Sequence, residues 1–412
     1  MTGVLRIGVS LLAFFVAVCP AWSASPDLSR IVVIGDSLSA GFQNGSLHEA
    51  HQPHGYASLV AAQARAALPL PLIAAPGIPN IITTVDPPSP PEHEAGISSG
   101  RIDPFLQPMN LAVPGHTLSD ALGRRPDFPI SDLTDLILGL PGLFGGAARS
   151  QVEWAEALAP STILVWIGNM DALLAAIYAD TTLLTPVAAF ESAYTTLMTR
   201  LSATGARLVV ANIPDVTVAP FLTSPAGIAD LTGLPAALVE SLLGLAEGDY
   251  VTPDAFALIP GILANPASGP LPGQVILTAA EVAQIRSAIA SYNAIIAAQA
   301  AAHGAALVDI HAFTARSRAE GVVVGGQRLT TEFGGGLFSL DGVHPTNTGY
   351  ALIANEFIHA LGTTFAAAIP PVNIRAIEVA DPLVGSGVGV PAGALGHVSP
   401  ATAASLRAVL GR

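Results

Sequence analysis

Short apolar runs rich in β-branched residues recur along the chain without polar alternation. They lie at residues 31–34, 111–113, 162–167, 207–211 and 306–310, and such runs indicate strands that are buried on both faces. Between them, apolar residues at three- and four-residue spacing predict helices at 151–158, 187–202, 279–302 and 346–361. This alternation predicts an α/β fold, doubly wound in three α/β/α layers around a five-stranded parallel sheet.

Two long segments, residues 43–109 and 214–273, interrupt the alternation and are rich in Pro and Gly. The first contains four prolines within residues 87–91, which rule out a helix interior or a central strand there. We expect both segments to be insertions over one face of a single domain that spans residues 24–412. A Gly- and Ala-rich tail from about residue 366 to 412 ends that domain, with a final helix predicted near 401–410.

The composition is that of a folded, acidic protein. Of the 412 residues, 51 % are hydrophobic and 11 % are charged, so the chain can bury a large core. Its 16 basic residues are all Arg, and the formal net charge is −14. An acidic chain without clustered basic residues repels nucleic-acid phosphates and anionic lipid surfaces. We therefore expect no nucleic-acid partner and no polybasic membrane anchor.

The first 23 residues are typical of a secretory signal peptide. They contain Arg6, an apolar run at 7–18, and small residues Ala21 and Ser23 before the predicted cleavage site. The run is short for a membrane span, although an uncleaved anchor is the alternative. The only cysteine, Cys19, lies in this segment. We expect a secreted or periplasmic mature protein with no disulfide and no integral membrane span.

A serine follows the first predicted strand. In Gly35-Asp36-Ser37-Leu38, Ser37 would leave the carboxyl end of a parallel strand, where open α/β sheets build their sites. It would also lie near the start of the next helix, where backbone N–H groups stabilise negative charge. The alternative is a serine that only caps this helix.

Far downstream, Asp341 lies three residues before His344 and just ahead of a predicted helix. Across a tight turn, a carboxylate at this spacing can accept a hydrogen bond from one imidazole nitrogen. The other nitrogen is then free to take a proton from a serine hydroxyl. The alternative is a turn aspartate beside a surface histidine.

These residues make the chain resemble the SGNH, or GDSL, hydrolases, whose sequence blocks occur here in the family's order. The first block is residues 35–38 and the last is residues 341–344. The resemblance implies that Ser37 is the nucleophile, His344 the general base and Asp341 its orienting partner. It further implies acyl transfer to water through an acyl-Ser37 intermediate, with no metal and no organic cofactor.

The two middle blocks imply an oxyanion hole. The second block, residues 110–115 with the sequence NLAVPG, implies that the N–H groups of Gly115 and Ser37 donate into it. The third block is irregular, because the family usually reads Gly-x-Asn-Asp and this chain has Gly-Asn-Met-Asp at residues 168–171. Met170 therefore stands where the oxyanion asparagine is expected. Asn169 can supply the donor if the turn shifts its side chain, and otherwise only the two backbone donors remain.

Several other residues leave alternatives open. His48, His51 and His54 have a spacing that could bind a metal, but their polar loop favours solvated side chains. His116 either lines the pocket or caps the next helix. Apolar residues at 136–144 and 242–245 either favour an apolar acyl group or fill small local cores.

We expect a secreted esterase or lipase that cleaves carboxylic esters of small molecules or lipids. The alternatives are a carbohydrate O-deacetylase or acyltransferase of the same fold, and a catalytically weak binding protein. The sequence leaves the natural ester, the acyl chain length and the oligomeric state open.

Overall fold

The computed structural model describes residues 27–84, 92–140, 147–384 and 399–410. The predicted signal peptide and the proline-rich run at 87–91 lie outside the described residues. So do residues 141–144 of the apolar segment at 136–144, and residues 385–398, 411 and 412 of the predicted tail.

Four parallel strands form the central sheet of the described residues. In chain order, the strands are β1 (Ile31–Gly35), β2 (Ile82–Thr84), β3 (Glu92–His93), β4 (Thr162–Trp166), β5 (Arg207–Ala211), β6 (Tyr250–Val251), β7 (Ile276–Leu277), β8 (Ala306–Val308), β9 (Val322–Val324) and β10 (Gln327–Leu329). The sheet order is β1-β4-β5-β8, and the other strands form three antiparallel pairs. Val33, Leu164, Val209 and Ala306 lie in register across the four strands.

The expected fifth strand at residues 111–113 is not a regular strand. This segment follows the free edge of β1, where Leu111 and Val113 donate to the carbonyls of Val33 and Gly35. Only one isolated bridge forms, between Val33 and Asn110. The Asn110 side chain accepts the Ala112 N–H at 3.1 Å. The Gly35 N–H, which would continue the parallel ladder, donates instead to the Gln151 side chain at 2.9 Å. The segment nevertheless leads residues 114 and 115 to the carboxyl end of β1.

Helices cover both faces of the sheet. They are α1 (Ser37–Ala40), α2 (Tyr56–Gln63), α3 (Leu118–Gly123), α4 (Gln151–Ala157), α5 (Met170–Tyr178), α6 (Val187–Ser202), α7 (Pro225–Thr232), α8 (Ala236–Leu243), α9 (Ile259–Ala264), α10 (Ala279–Ala302), α11 (Ile310–Glu320), α12 (Asn347–Phe365), α13 (Ile374–Ala380) and α14 (Pro400–Leu410). A π-helical turn spans Asp135–Gly139. Short 3₁₀ turns lie at Gln52–His54, Thr181–Leu183, Val216–Val218, Pro253–Ala257, Pro266–Ser268 and Gly273–Val275.

Alternate strand residues point to opposite faces and bury two separate cores. Val32, Ile34 and Val165 pack against α4, α5, α6 and α10. Ile31, Val33 and Trp166 pack against α2 and α12. Each strand is thus apolar on both sides, as the unbroken apolar runs predicted.

The segment at 214–273 contains a small hydrophobic core of its own. Residues of α7, α8 and α9 form it, together with β6 and Ile276 of β7. Leu243 and Leu245 are buried in this cluster, so the apolar residues at 242–245 fill a local core. Across the described ranges, no single helix is long and apolar enough to cross a membrane, although α7 and α8, bent by 110°, pass that test as a pair.

Candidate active site

Ser37 is the first residue of α1 and follows β1 by a single residue, Asp36. Asp36 caps the helix by accepting the Leu38 N–H at 3.1 Å. Ser37 itself is buried. Neither its hydroxyl nor its N–H makes a hydrogen bond to the described residues. The turn therefore presents one hydroxyl and one backbone donor without partners.

Asp341 and His344 form a buried pair. His344 Nδ1 lies 3.0 Å from Asp341 Oδ2, and both side chains are completely inaccessible to solvent. The other carboxylate oxygen accepts the N–H groups of Val343 and His344, while Gly45 N–H donates to Oδ2. Burial alone would raise the pKa of the Asp341 carboxyl, but the charge of His344 and these hydrogen bonds hold it below its usual value. Asp341 is therefore ionised at neutral pH, and Nδ1 of His344 carries the proton of their hydrogen bond.

The His344 ring lies close to the Ser37 turn. Phe42 N–H donates to the Ser37 carbonyl at 3.1 Å, and the Phe42 ring centroid is 4.6 Å from that of His344. Nε2 of His344 is buried and has no hydrogen-bond partner within the described part of the chain. Phe42 thus contacts both residues, and the charge of His344 lowers the pKa of the adjacent Asp36. Ser37 and His344 do not hydrogen-bond to each other, and such bonds often tighten only when substrate is present.

Asn169, and not Met170, is the third-block side chain beside the Ser37 turn. Asn169 Nδ2 donates to Asp36 Oδ2 at 2.9 Å, whereas Met170 is completely buried in the core under α5. Burial raises the pKa of Asp36 to about 6, while the Asn169 hydrogen bond acts in the opposite direction. The amide nitrogen retains a second hydrogen, so Asn169 can still donate to a ligand.

Gly115 approaches the same region from the segment along β1. Its φ of 82° lies in the left-handed region, which favours glycine. Its N–H makes no hydrogen bond to the residues that the structure describes. Ser37, Gly115 and Asn169 therefore each retain donor capacity near the end of β1.

Sequence reasoning assigned no role to Asp171. Its side chain connects the third block to the loop that follows the second block. Its buried carboxylate accepts the Leu118 N–H at 2.9 Å and the Thr185 hydroxyl at 2.7 Å. Burial raises the pKa of Asp171 to about 6. Leu118 lies three residues after Gly115, so this carboxylate anchors the loop that contains the glycine. From sequence, Asp171 could be seen only as part of the block.

His116 does not cap the following helix. Thr117 and Asp120 form a capping box at the start of α3, whereas the buried His116 ring contacts the side chains of Thr134 and Gln151. The three loop histidines were expected to be solvated, but His48 is buried and His51 and His54 are half-buried. No group of three His, Cys, Asp or Glu residues within the described ranges is arranged to hold a metal.

Two cavities border these residues. One, of about 90 Å³, has a mainly apolar lining. The lining includes Leu38 and Val343, which adjoin Ser37 and His344 in the chain, and Asn169, which hydrogen-bonds to Asp36. The other, of about 520 Å³, touches Gly115 and also has polar walls. Residues 136–140 and 242–245 line neither cavity.

A family model described as GDSL-like Lipase/Acylhydrolase matches residues 31–357. No curated protein matches the chain. Among solved structures, a lipase/acylhydrolase from Enterococcus faecalis is 14 % identical, with a TM-score of 0.34 over 84 % of this chain and 99 % of that one. A phospholipase A1 from Streptomyces albidoflavus NA297 is 16 % identical, with a TM-score of 0.35 over 81 % of this chain and 98 % of that one. An alpha/beta hydrolase enzyme from the Lake Arreo metagenome is 15 % identical, with a TM-score of 0.36 over 81 % and 95 %.

Proposed function

Because the chain belongs to the GDSL-like lipase/acylhydrolase family, a family of ester hydrolases, we propose that it cleaves carboxylic esters through an acyl intermediate on Ser37. The observation that carries this proposal is the buried Asp341–His344 pair beside the Ser37 turn. Its Nδ1 is engaged at 3.0 Å, and its Nε2 has no partner within the described residues. This is the state that a general base needs before it accepts a proton.

In the proposed first step, Ser37 Oγ attacks the ester carbonyl carbon and its proton moves to His344 Nε2. Asp341 stabilises the imidazolium that forms. The tetrahedral intermediate collapses when the bond to the alcohol oxygen breaks, and His344 returns the proton to that oxygen. Water, deprotonated by His344, then attacks the acyl-Ser37 ester. The bond between the acyl carbon and Ser37 Oγ breaks, His344 returns the proton to Oγ, and the carboxylic acid leaves.

The negative charge on the carbonyl oxygen requires donors that are already in position. We assign this role to the N–H groups of Ser37 and Gly115 and to Asn169 Nδ2. The unpartnered state of both N–H groups supports the assignment. Donors that are fixed before the reaction stabilise the transition state without reorganisation.

The acyl group would occupy the cavity of about 90 Å³ beside Leu38 and Val343. Its other walls include Leu173, Val216, Val218 and Phe313, which suit an alkyl chain and offer few polar partners. Since one water needs about 10–15 Å³ of such space, the cavity has room for on the order of six to nine waters. This favours acyl chains of short to medium length over palmitoyl.

The alcohol would leave toward the larger cavity beside Gly115. Arg124, Ser131, Asp132 and Thr134 line it, and Arg124 pairs with Asp132, so the polar wall carries no net charge. A neutral, hydroxyl-bearing alcohol fits such a wall. Polyol or sugar esters are therefore the second candidate substrates, and the same acyl-enzyme could pass its acyl group to such an alcohol instead of water.

We further propose that the chain is exported to the periplasm or secreted after cleavage of residues 1–23, as its N-terminal pattern indicates. N-terminal sequencing of the protein recovered from the medium or periplasm tests this. A mature protein that begins at Ala24 supports the proposal, and a cytoplasmic protein that retains residues 1–23 contradicts it.

The test of activity is hydrolysis of p-nitrophenyl esters from acetate to palmitate by the wild type and by Ser37→Ala. We expect the variant to lose at least about 10⁴-fold in kcat, because the nucleophile is removed. Thr162→Ala, which alters a buried hydroxyl at the opposite end of the sheet, is a matched control that should retain activity. A wild type that is inert on every ester, or a Ser37→Ala variant with full activity, contradicts the proposal.

A further inference from the structure

Gln151 joins two of the segments that surround Ser37. It begins α4, and its side chain is completely buried. Oε1 accepts the Gly35 N–H at 2.9 Å, and Nε2 donates to the Gly35 carbonyl at 3.0 Å. Nε2 also lies 3.0 Å from His116 Nδ1. One amide therefore contacts both the end of β1 and the loop after Gly115.

These contacts determine the proton positions. The amide nitrogen of Gln151 can only donate, so His116 Nδ1 must accept and carry no proton. His116 Nε2 then carries the proton and donates to the Thr134 hydroxyl at 3.1 Å. A reversed Gln151 amide would place its oxygen against the Gly35 carbonyl, so the hydrogen-bond network has one consistent arrangement.

Gly35 and His116 lie in the two chain segments that carry the proposed oxyanion donors, the N–H groups of Ser37 and Gly115. Gly35 precedes the Asp36-Ser37 turn, and His116 directly follows Gly115. The distance between the two segments therefore sets the distance between the N–H groups of Ser37 and Gly115. The Val113 N–H bond to the Gly35 carbonyl joins the two segments once, and Gln151 adds three hydrogen bonds from one rigid planar group that restrict this distance further.

We propose that Gln151 is a positioning residue that holds the Ser37 and Gly115 N–H groups at the spacing an oxyanion requires. The inference rests on the proposed ester hydrolysis and deepens it. Gln151 touches no substrate, and it acts through Gly35 and His116. Displacement of a donor by about 1 Å can cost about 10²-fold in rate, so this control of spacing has kinetic consequences.

The test is Gln151→Met, which keeps the length and approximate volume of the side chain and removes the hydrogen bonds. We expect kcat to fall about 10- to 100-fold with KM within about twofold of wild type, because the oxyanion forms only after the substrate binds. Gln52→Met is the matched control. Gln52 is also buried and also bonds backbone groups on both sides of its amide, those of Pro71 and Ile73. The control should lose stability without this change in kcat.

A second readout separates positioning from general destabilisation. An alkyl boronic acid forms a tetrahedral adduct with the nucleophilic serine and places an oxygen in the oxyanion hole. In Gln151→Met, its inhibition constant should rise by about the same factor as kcat falls, whereas a purely structural role would leave it unchanged. His116→Phe keeps the Gly35 contacts and removes one link, so we expect a loss in kcat of about threefold to tenfold. This second variant tests the proposal if Gln151→Met does not fold.

The outcomes distinguish the two proposals. Full retention of kcat by folded Gln151→Met, or an unchanged boronic acid constant in both variants, overturns the positioning role while ester hydrolysis stands. Full activity of Ser37→Ala would instead overturn the proposed function itself.

Discussion

The two halves of the candidate site differ in how they are built. The acid–base half consists of Asp341 and His344, which lie in one turn and bond each other directly at 3.0 Å. The oxyanion half takes Ser37, Gly115 and Asn169 from three segments that are distant in sequence, with Asp36, Asp171 and Gln151 as connections. The geometry of the acid–base half is set mainly by one turn. The geometry of the oxyanion half depends on how several segments pack at the carboxyl end of the sheet.

The strongest test of the acid–base half is His344→Ala. We expect a loss in kcat on the order of 10⁴- to 10⁶-fold, because the variant lacks the proposed general base. Ester hydrolysis by the purified variant measures this. His359→Ala, an exposed position on α12, is the control. A loss of less than about tenfold would show that His344 is not the general base.

The oxyanion half is tested by Asn169→Ala, for which we expect about a 10²- to 10³-fold loss in kcat, the usual effect of removing one side-chain donor. Met170→Leu is the sharp comparison, since Met170 lies in the core under α5. That variant should keep its kcat and lose less than about 1.5 kcal/mol of stability. If Asn169→Ala kept its kcat and Met170→Leu lost it, residue 170 and not Asn169 would contribute to oxyanion stabilisation.

A smaller effect tests the apolar cavity of about 90 Å³, which residues beside both halves of the site line. Val218→Phe replaces a small side chain in the lining of the apolar cavity with an aromatic ring and so reduces the space in it. We expect kcat/KM for octanoate hydrolysis to fall about tenfold or more, whereas that for acetate hydrolysis should change little. The ester series measures the ratio. Val323→Phe, on an exposed strand position, should leave the ratio unchanged. Equal losses on both esters would place the acyl group elsewhere.

The smallest effect concerns Asp171 and pH. Its pKa is raised to about 6 from 3.8, so the folded chain binds this proton more tightly than the unfolded chain does. The free energy of unfolding therefore falls as pH rises from about 4 to 6. Asp171→Asn should make this slope shallower, and the part due to Asp36 remains. Denaturant unfolding at several pH values checks it, and an unchanged slope would refute the assignment.

Much of the sheet could be predicted from sequence because parallel strands read as unbroken apolar runs. The helices Val187–Ser202 and Ala279–Ala302 have the predicted bounds. The segment at 111–113 could not be distinguished from a strand, since its ladder with β1 is interrupted where the Gly35 N–H donates to a distant side chain, that of Gln151. Likewise, the Asp341–His344 spacing was readable, whereas Gln151 looks like any residue at the start of a helix. Long-range contacts of this kind leave no periodic signal.

The separate core of the 214–273 segment has a consequence for how the protein opens. Its apolar cluster is distinct from the two cores that flank the sheet, so it can unfold as its own cooperative unit at a lower free-energy cost than the whole chain. Phe221, which precedes that unit in the chain and packs in the core beside α4, α5, α6 and α10, donates its N–H to the Gly342 carbonyl at 2.9 Å in the loop of His344. Native-state hydrogen exchange should therefore show amides of residues 225–264 exchanging together, ahead of those in the central strands.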